Sequence, residues 1–443
     1  MNGSTGPRAR ILKWLIPGMH VKRWVALILL GIIVLVSGAV LFFLEWSWLV
    51  SLKQYLRQTF SLSPMPLLET PWREIIALVI ILSALGLIVW GVRKLIASLV
   101  EAVLPEHPEN LADVVYEKRL GHRGLKIVAL GGGTGLSSLL RGLKLLPVEA
   151  TALVTVADDG GSSGKLRQEL GILPPGDIRR CLVALSETEP LMENLFQYRF
   201  QAGSSLEGHN FGNLFIAALT KTTGDFGLAV MSASQVLRVK GKALPVTLDD
   251  VTLRADFTDG TQAMGETRIR ETGKVIKRLH LEPANSQPTA GVLDAIHQAD
   301  VILLGPGSLF TSVLPPLLQP EVSQAVRESK AVRIYIANIM TEHGETDGLS
   351  IGGHLRVLFE HAGGKVADYC LINHKVVSTQ ALERYRLEQA ELVKADLEQV
   401  RTMGVVPILA DLSAEVRFVW HDPEALAHAI WDLVLDVRRR RRR

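Results

Sequence analysis

Cysteine is scarce in this chain. Only Cys181 and Cys370 occur among 443 residues, and neither has a Cys-x-x-Cys or Cys/His neighbour. That excludes any obvious disulfide framework or zinc site and agrees with a reducing compartment for the main domain. A strong charge of one sign is also lacking, since the formal net charge is +3. Basic residues are not interleaved with aromatics, so a nucleic-acid partner is not expected. No Ser/His/Asp triad, no kinase signature and no internal repeat is visible.

What the chain does have is an apolar excess, 48% of residues against 21% charged. The excess is local. Trp24 to Leu44 is an uncharged apolar run, and Ile75 to Val92 is a second. Each is long enough to cross a hydrocarbon core of about 30 Å. Arg8, Arg10, Lys13, Lys22 and Arg23 precede the first run, and Arg93 and Lys94 follow the second. In the link between them, Lys53, Arg57 and Arg73 are diluted by Glu45, Glu69 and Glu74. The positive-inside rule then places both termini in the cytoplasm and the Glu45–Arg73 link outside. Trp46, Trp48, Trp72 and Trp90 stand near the span ends, as interfacial anchors do. The expectation is a multi-pass cell-membrane protein: a membrane hairpin over 1–100, a linker over 101–123, a cytoplasmic domain over 124–437 and a basic tail over 438–443.

The richest stretch is Leu125 to Arg167. A strand-like run, Leu125 to Leu130, enters the cluster Gly131, Gly132, Gly133, Thr134, Gly135. A helical pattern follows at Leu136, Leu139 and Leu140, then a second apolar run, Thr151 to Val156, ends at Asp158 and Asp159. Strand, glycine turn, helix, strand, acid is the layout by which α/β proteins hold a nucleotide. The spacing is not the dinucleotide fingerprint, because the two-residue gap before the third glycine is missing. A second glycine and hydroxyl loop, Gly160 to Lys165, holds Ser162, Ser163 and Lys165, with Arg167 just beyond. It suits another anionic group or a metal-bound phosphate.

Further along, Leu125 to Thr223 and the region after Leu281 alternate strands and helices, which predicts a doubly wound, mostly parallel sheet. Between them Leu244 to Leu281 reads as a half-exposed, β-rich insertion, with Val251, Leu253, Ala255 and Phe257 alternating before the Asp259-Gly260 turn. Four more segments put polar residues at the ends of apolar runs. Pro174 to Arg180 carries Asp177, which could cap its helix or join Asp158 or Asp159 around Mg²⁺. Gly208 to Leu214 carries Asn210 and Asn213, either a helix cap or a reader of a base or sugar. Gly305 to Ser312 carries Gly307, Ser308 and Thr311 in a strand-to-helix loop. Asn338 to Gly348 carries Thr341, Glu342, Glu345 and Thr346. The six arginines Arg438–Arg443 read as a solvated disordered tail, or as a contact for anionic lipid headgroups.

Taken together, GGGTG, ADDGGSSGKLR, PPGDIRR, GHNFGNL, GPGSLFTSVLP and the NIMTEHGET loop strongly resemble the YvcK or gluconeogenesis factor family, of the CofD-like superfamily. The resemblance runs from about Lys126 to about Pro423 and leaves out the membrane hairpin. It implies a Rossmann-like fold and a UDP-sugar ligand such as UDP-GlcNAc. It also implies support of cell shape alongside cell-wall synthesis proteins, and a homo-oligomer is expected. On this mapping Gly131 to Gly135 face the diphosphate. Asp158, Asp159 and Asp177 are the catalytic or phosphate-side acids, with Asp159 and Asp177 on the metal. Asn210, Asn213, Gly307, Ser308, Thr311 and Asn338 line the nucleoside or sugar. The alternative is a CofD-like transferase, which moves a phospholactyl-type group from a nucleotide-activated donor with a divalent metal. NAD-dependent chemistry stays a distant third on the glycine spacing.

Overall fold

The structure, a computed structural model, describes residues 21–43, 72–103, 124–187, 190–201, 203, 206–415 and 418–441. It divides into two compact units, Met1–Val115 and Tyr116–Arg443. The expected outside link and most of the expected linker lie beyond the described residues.

In the first unit two helices pair, α1 (Val21–Phe43) and α2 (Trp72–Val103). Both contain a stretch long and apolar enough to cross a membrane, Arg23–Leu41 and Ile75–Leu95. Small residues let the backbones approach: a methyl added at Gly31 would lie 2.7 Å from Ile88, and one at Gly91 would lie 2.8 Å from Ile28. Ala77 and Ala84 are buried in the same seam, and the Trp24 and Trp90 rings meet edge to face at 5.8 Å. Leu29, Ile33, Val36, Leu78, Leu82 and Val89 stay exposed on the outer faces. Helix α2 runs to Val103, so residues 101–103, at the start of the expected linker or connecting helix, are helical.

The second unit is built on one seven-stranded sheet. Its strands are β1 (Leu125–Gly131), β2 (Val148–Val154), β3 (Lys242–Pro245), β7 (Val301–Leu304), β8 (Val332–Ile336), β9 (Tyr369–Asn373) and β10 (Val406–Ala410). Their order is β10-β9-β8-β7-β1-β2-β3, and every pairing is parallel. Central strands are buried on both faces beyond their first residues, hence the apolar run of β7 and the apolar ends of β1 and β2. From β1 the chain winds one way to β2 and β3, then returns to β7 and winds the other way. The reversal between β1 and β7 is a topological switch point, where open α/β sheets bind ligands.

Four helices after β1 and β2 matter to the site: α3 (Gly133–Leu143), α4 (Gly161–Leu170), α5 (Gly176–Leu185) and α6 (Phe211–Thr223). Leu136, Leu139, Leu140 and Leu143 form the buried stripe of α3, at the spacing the sequence shows. The insertion is a three-stranded antiparallel sheet, β5-β4-β6, from β4 (Thr252–Phe257), β5 (Gln262–Met264) and β6 (Ile276–Glu282). Leu253, Ala255 and Phe257 face inward, as the alternation predicts. Its expected start at Leu244 is corrected, because Lys242–Pro245 pairs with β2 in the main sheet. The short helix α7 (Glu266–Glu271) follows β5. The closing helix α8 (Pro423–Arg441) packs on α3, with the Pro423 carbonyl against Gly142. It carries Arg438–Arg441 in regular helix, so for these residues a disordered tail is not observed.

Candidate functional site

The loops that leave β1 and β7 meet at the switch point. Gly131 and Gly133 have φ of 158° and 64°, and Gly132 is the N-cap of α3. The glycines do different jobs. A methyl on Gly135 would overlap the Pro306 carbonyl, so this glycine lets the two loops touch. One on Gly132 would overlap Asp177. One on Gly133 would meet only Ser312 Oγ, 3.8 Å away, so this residue borders open space.

Asp177 does not cap its own helix, whose N-cap is Pro175. Instead its Oδ2 accepts the Gly133 N–H at 2.8 Å, and its Oδ1 pairs with Arg180 at 2.7 Å. A carboxylate therefore sits at the N-terminus of α3, in the place a phosphate takes in nucleotide-binding folds. Asp158 accepts from Gly160 N at 2.9 Å and from Ser163. Burial raises its pKa, and the charge of Asp177 adds to that. Asp159 is drawn toward the insertion: its Oδ1 accepts from Thr267 N at 2.9 Å and Thr267 Oγ1 at 2.7 Å. It thereby tethers the first turn of α7.

On the β7 side, the Asn338 amide oxygen accepts from Gly307 N at 3.4 Å. Ser308 caps a five-residue π-helical turn, Leu309–Val313, accepting from Thr311 N at 3.3 Å. Its hydroxyl donates to Glu345, which also accepts from Thr311 Oγ1 and lies 3.4 Å from Arg270 Nε. Burial, then the neighbouring Glu342, pushes the Glu345 pKa up to about 7. π-Turns of this kind recur at functional sites.

Glu266 was missed as a site residue, whereas Glu345 belongs to the candidate segment Asn338 to Gly348. Burial pushes Glu266 up to about 8, and the charges of Asp158, Asp177, Glu345 and Asp159 add to the effect. Both sit in the tripeptide Gly-Glu-Thr, at 265–267 and 344–346, and both glycines have positive φ (91° and 80°). This repeated tripeptide after a turn glycine was the available signal.

Behind these acids lie cations and amides. Ser162 is a buried hub: it accepts from Asn213 Nδ2 at 3.1 Å and Asn210 N at 3.3 Å. Asn210 is the N-cap of α6, and its amide is spent on Asn213 N and the Gln197 carbonyl. Arg179 is buried and donates to the Phe196 carbonyl. Burial lowers its pKa to about 10, with the charges of Arg180 and Arg199 contributing. Lys165 reaches Gly208, whose carbonyl accepts from Arg199. Arg167 is a correction. It binds Asp250, the Val251 carbonyl and Thr252, so it clamps α4 to the insertion and is not brought to the crevice.

The fit to a cation and an anionic ligand rests on groups left unbalanced. Buried Arg179 Nε, Arg180 Nε and Asn213 Oδ1 have no hydrogen-bond partner among the described residues. Glu266 and Glu345 are carboxyls that burial holds wholly or partly protonated near pH 7, so a bound cation would draw out their charge. Among the described residues no three His, Cys, Asp or Glu side chains converge on one metal position. A Mg²⁺ ion takes one or two carboxylates and fills its shell with phosphate oxygens and water, which this arrangement suits.

Comparison with known proteins identifies relatives of the second unit and of the longer chain. The family described as 2-phospho-L-lactate transferase CofD matches residues 127–413. A gluconeogenesis factor from Bacillus subtilis is 46% identical over 310 residues, 70% of this chain and 98% of its own length. A relative from Nostoc sp. is 42% identical over 424 residues, 94% of this chain and 91% of its own. An alignment that long reaches well into the first hundred residues, so the N-terminal segment is shared with longer relatives, beyond what the resemblance suggested. A crystal structure of a protein from Bacillus halodurans superposes with a TM-score of 0.68 at 46% identity, covering 70% of this chain and 99% of that one.

Proposed function

The chain belongs to the gluconeogenesis factor family with its CofD domain, and from that premise we propose a membrane-tethered receptor for a UDP-GlcNAc-type nucleotide sugar. It serves cell shape and cell-wall synthesis from the cytoplasmic face. One observation carries this reading: the carboxylate of Asp177 stands at the N-terminus of α3, 2.8 Å from Gly133 N, with the charge of Asp158 close enough to be felt there. A diphosphate cannot approach such acids unaided. Two like charges 4 Å apart repel by roughly 4 kcal/mol at an effective dielectric of 20. A cation bound with the ligand turns that repulsion into attraction.

In this account Asp158 and Asp177 hold Mg²⁺, which supplies charge neutralisation for the diphosphate. Arg180 keeps Asp177 oriented on Gly133 N–H, and the remaining first-turn N–H groups of α3 take a phosphate oxygen. Asn213 offers its unpaired Oδ1 to a hydroxyl or base N–H. Ser308 and Asn338 shape the opposite wall. Asp159 anchors the insertion over the crevice. A multi-pass membrane location with a cytoplasmic main domain rests on the two apolar helices and the flanking basic residues.

A second reading, a CofD-like transferase, is favoured by the match over residues 127–413. It uses the same acids, with a nucleotide-activated donor in place of the sugar. A thermal-shift panel on residues 124–443 separates them, using UDP-GlcNAc, UDP-glucose, GDP, GTP and NAD, each with Mg²⁺ or EDTA. A specific shift with UDP-GlcNAc supports the receptor, because a ligand stabilises by mass action. A shift confined to guanine nucleotides favours the transferase, and no shift with any of them sinks both.

A further inference from the structure

The edge of the sheet opposite the crevice carries a second charge pattern. All seven strands are parallel, so their starts lie along one edge and the crevice along the other. Gly124, where the chain joins the domain, is at the starting edge, immediately before β1. The arginine end of α8 reaches the same corner. Arg438 Nη2 pairs with Asp300 Oδ1 at 2.7 Å, and Asp300 Oδ2 accepts the Lys126 N–H at 2.9 Å. Asp300 itself stands just before β7, and its carbonyl accepts from Val332, the first residue of β8. The end of the chain and the start of the domain are thus stitched together two residues from Gly124.

Lysines extend this corner along the edge. Lys242 opens β3, and Lys240 Nζ donates to the carbonyl of Lys144, just beyond α3. Lys126, Lys240 and Lys242 are exposed. Few acids oppose the charge at this corner: Asp300 engages Arg438, Asp436 engages Arg440 and exposed Glu149 stands across from Lys126, while residues 438–443 are all arginine. A regular helix ending in arginines adds its own carbonyl dipole, which offsets only part of that charge.

We propose that the arginine end of α8, with the lysines of the same edge, is a docking surface for anionic lipid headgroups. Charge complementarity selects this partner, and each arginine near an anionic surface adds to the attraction. The surface stands on its own. It does not depend on whether the apolar hairpin spans the membrane.

Vesicle flotation tests the surface without the hairpin. The fragment 116–443 is suitable, since a relative consisting of this part alone crystallises as the same fold. It should float with phosphatidylglycerol-containing vesicles, stay down with pure phosphatidylcholine, and release in high salt. Truncation after Arg438 keeps the Asp300 pair and should weaken partitioning at least about tenfold with an unchanged melting temperature. Equal flotation of the truncated fragment overturns the proposal, as does equal flotation on neutral vesicles. So does tight binding of a DNA duplex that anionic vesicles cannot compete away. Carbonate extraction of the full chain probes the hairpin separately. If carbonate releases the full chain while the fragment still floats, the hairpin reading falls and the docking surface stands.

Discussion

Two alanines placed two residues apart should have opposite consequences. Gly133 sits at φ 64°, where a Cβ costs about 1–2 kcal/mol. Nothing else opposes a methyl there, because the nearest atom is Ser312 Oγ at 3.8 Å. Gly135 has the reverse problem. Its methyl would overlap the Pro306 carbonyl oxygen and lie 2.9 Å from Gly307 Cα, and backbone cannot yield as a side chain can. Overpacking of this kind costs about 1–3 kcal/mol or more. It would also push the Gly305–Ser308 loop off α3. A domain of this size loses about 2 °C per kcal/mol. Gly133→Ala should therefore melt within about 2–4 °C of wild type and still lose at least about tenfold in ligand affinity, since its methyl fills the space where a phosphate meets backbone. Gly135→Ala should melt lower than Gly133→Ala. Calorimetry and thermal melts on the same preparations read both quantities. Wild-type affinity in Gly133→Ala would reduce the loop to a tight turn, and equal melting of the two variants would refute the assigned contacts.

Other outcomes follow from the same geometry. Asp177→Asn leaves Arg180 without its carboxylate and should cost about 1–3 kcal/mol; it should also abolish any Mg²⁺-dependent gain in ligand affinity while sparing affinity in EDTA. Arg167→Ala should destabilise the domain through the lost clamp to Asp250 and Thr252, yet leave ligand affinity in the surviving fold unchanged by calorimetry. Glu266 and Glu345 have folded pKa values raised to about 8 and about 7, so the folded state holds protons that the unfolded state has released. Their stabilising contribution is full below about pH 4.5 and is lost as pH rises through 7 and 8, by at most about 1.4 kcal/mol per pH unit for each group. Ligand-free melting temperature should thus fall between pH 6 and pH 9, and Mg²⁺ with ligand should flatten the fall; a temperature that rises across this range contradicts the burial of these carboxyls. Reporter fusions at Ser61 and at the C-terminus should place the first outside and the second in the cytoplasm, and a C-terminal fusion active outside the cell would reverse the topology.

Sequence patterns revealed the framework because parallel sheets impose strong ones. Buried strands must be apolar throughout, so β1, β2 and β7 stood out, and the glycine clusters marked the loops beside the switch point. The alternation of Leu253, Ala255 and Phe257 likewise betrayed a one-sided sheet. Strand β3 was absorbed into the insertion because it has only four residues, Lys242–Pro245, and begins with a lysine. Which polar residue faces the crevice was harder to read. Arg167 and Lys165 are two positions apart on one helix, so they point different ways, and spacing alone does not say which way is inward. Asn210 looked like a ligand group and is consumed as a cap. Glu266 and Glu345 come from segments far apart in sequence, and only the folded insertion brings them into one electrostatic group. The domain boundary falls at Val437 in the sequence because an arginine run reads as solvated chain, whereas Arg438 is fixed by Asp300.

The central claim is that a cation and a nucleotide diphosphate bind together among the acids of the β1/β7 crevice. Titration calorimetry of UDP-GlcNAc into the full chain, with Mg²⁺ and with EDTA, addresses it directly. Affinity should be measurable with Mg²⁺ and fall at least about tenfold in EDTA, with protons released on binding near pH 7 as Glu266 and Glu345 ionise beside the cation. Equal affinity in both conditions, or no heat of binding in either, would contradict it.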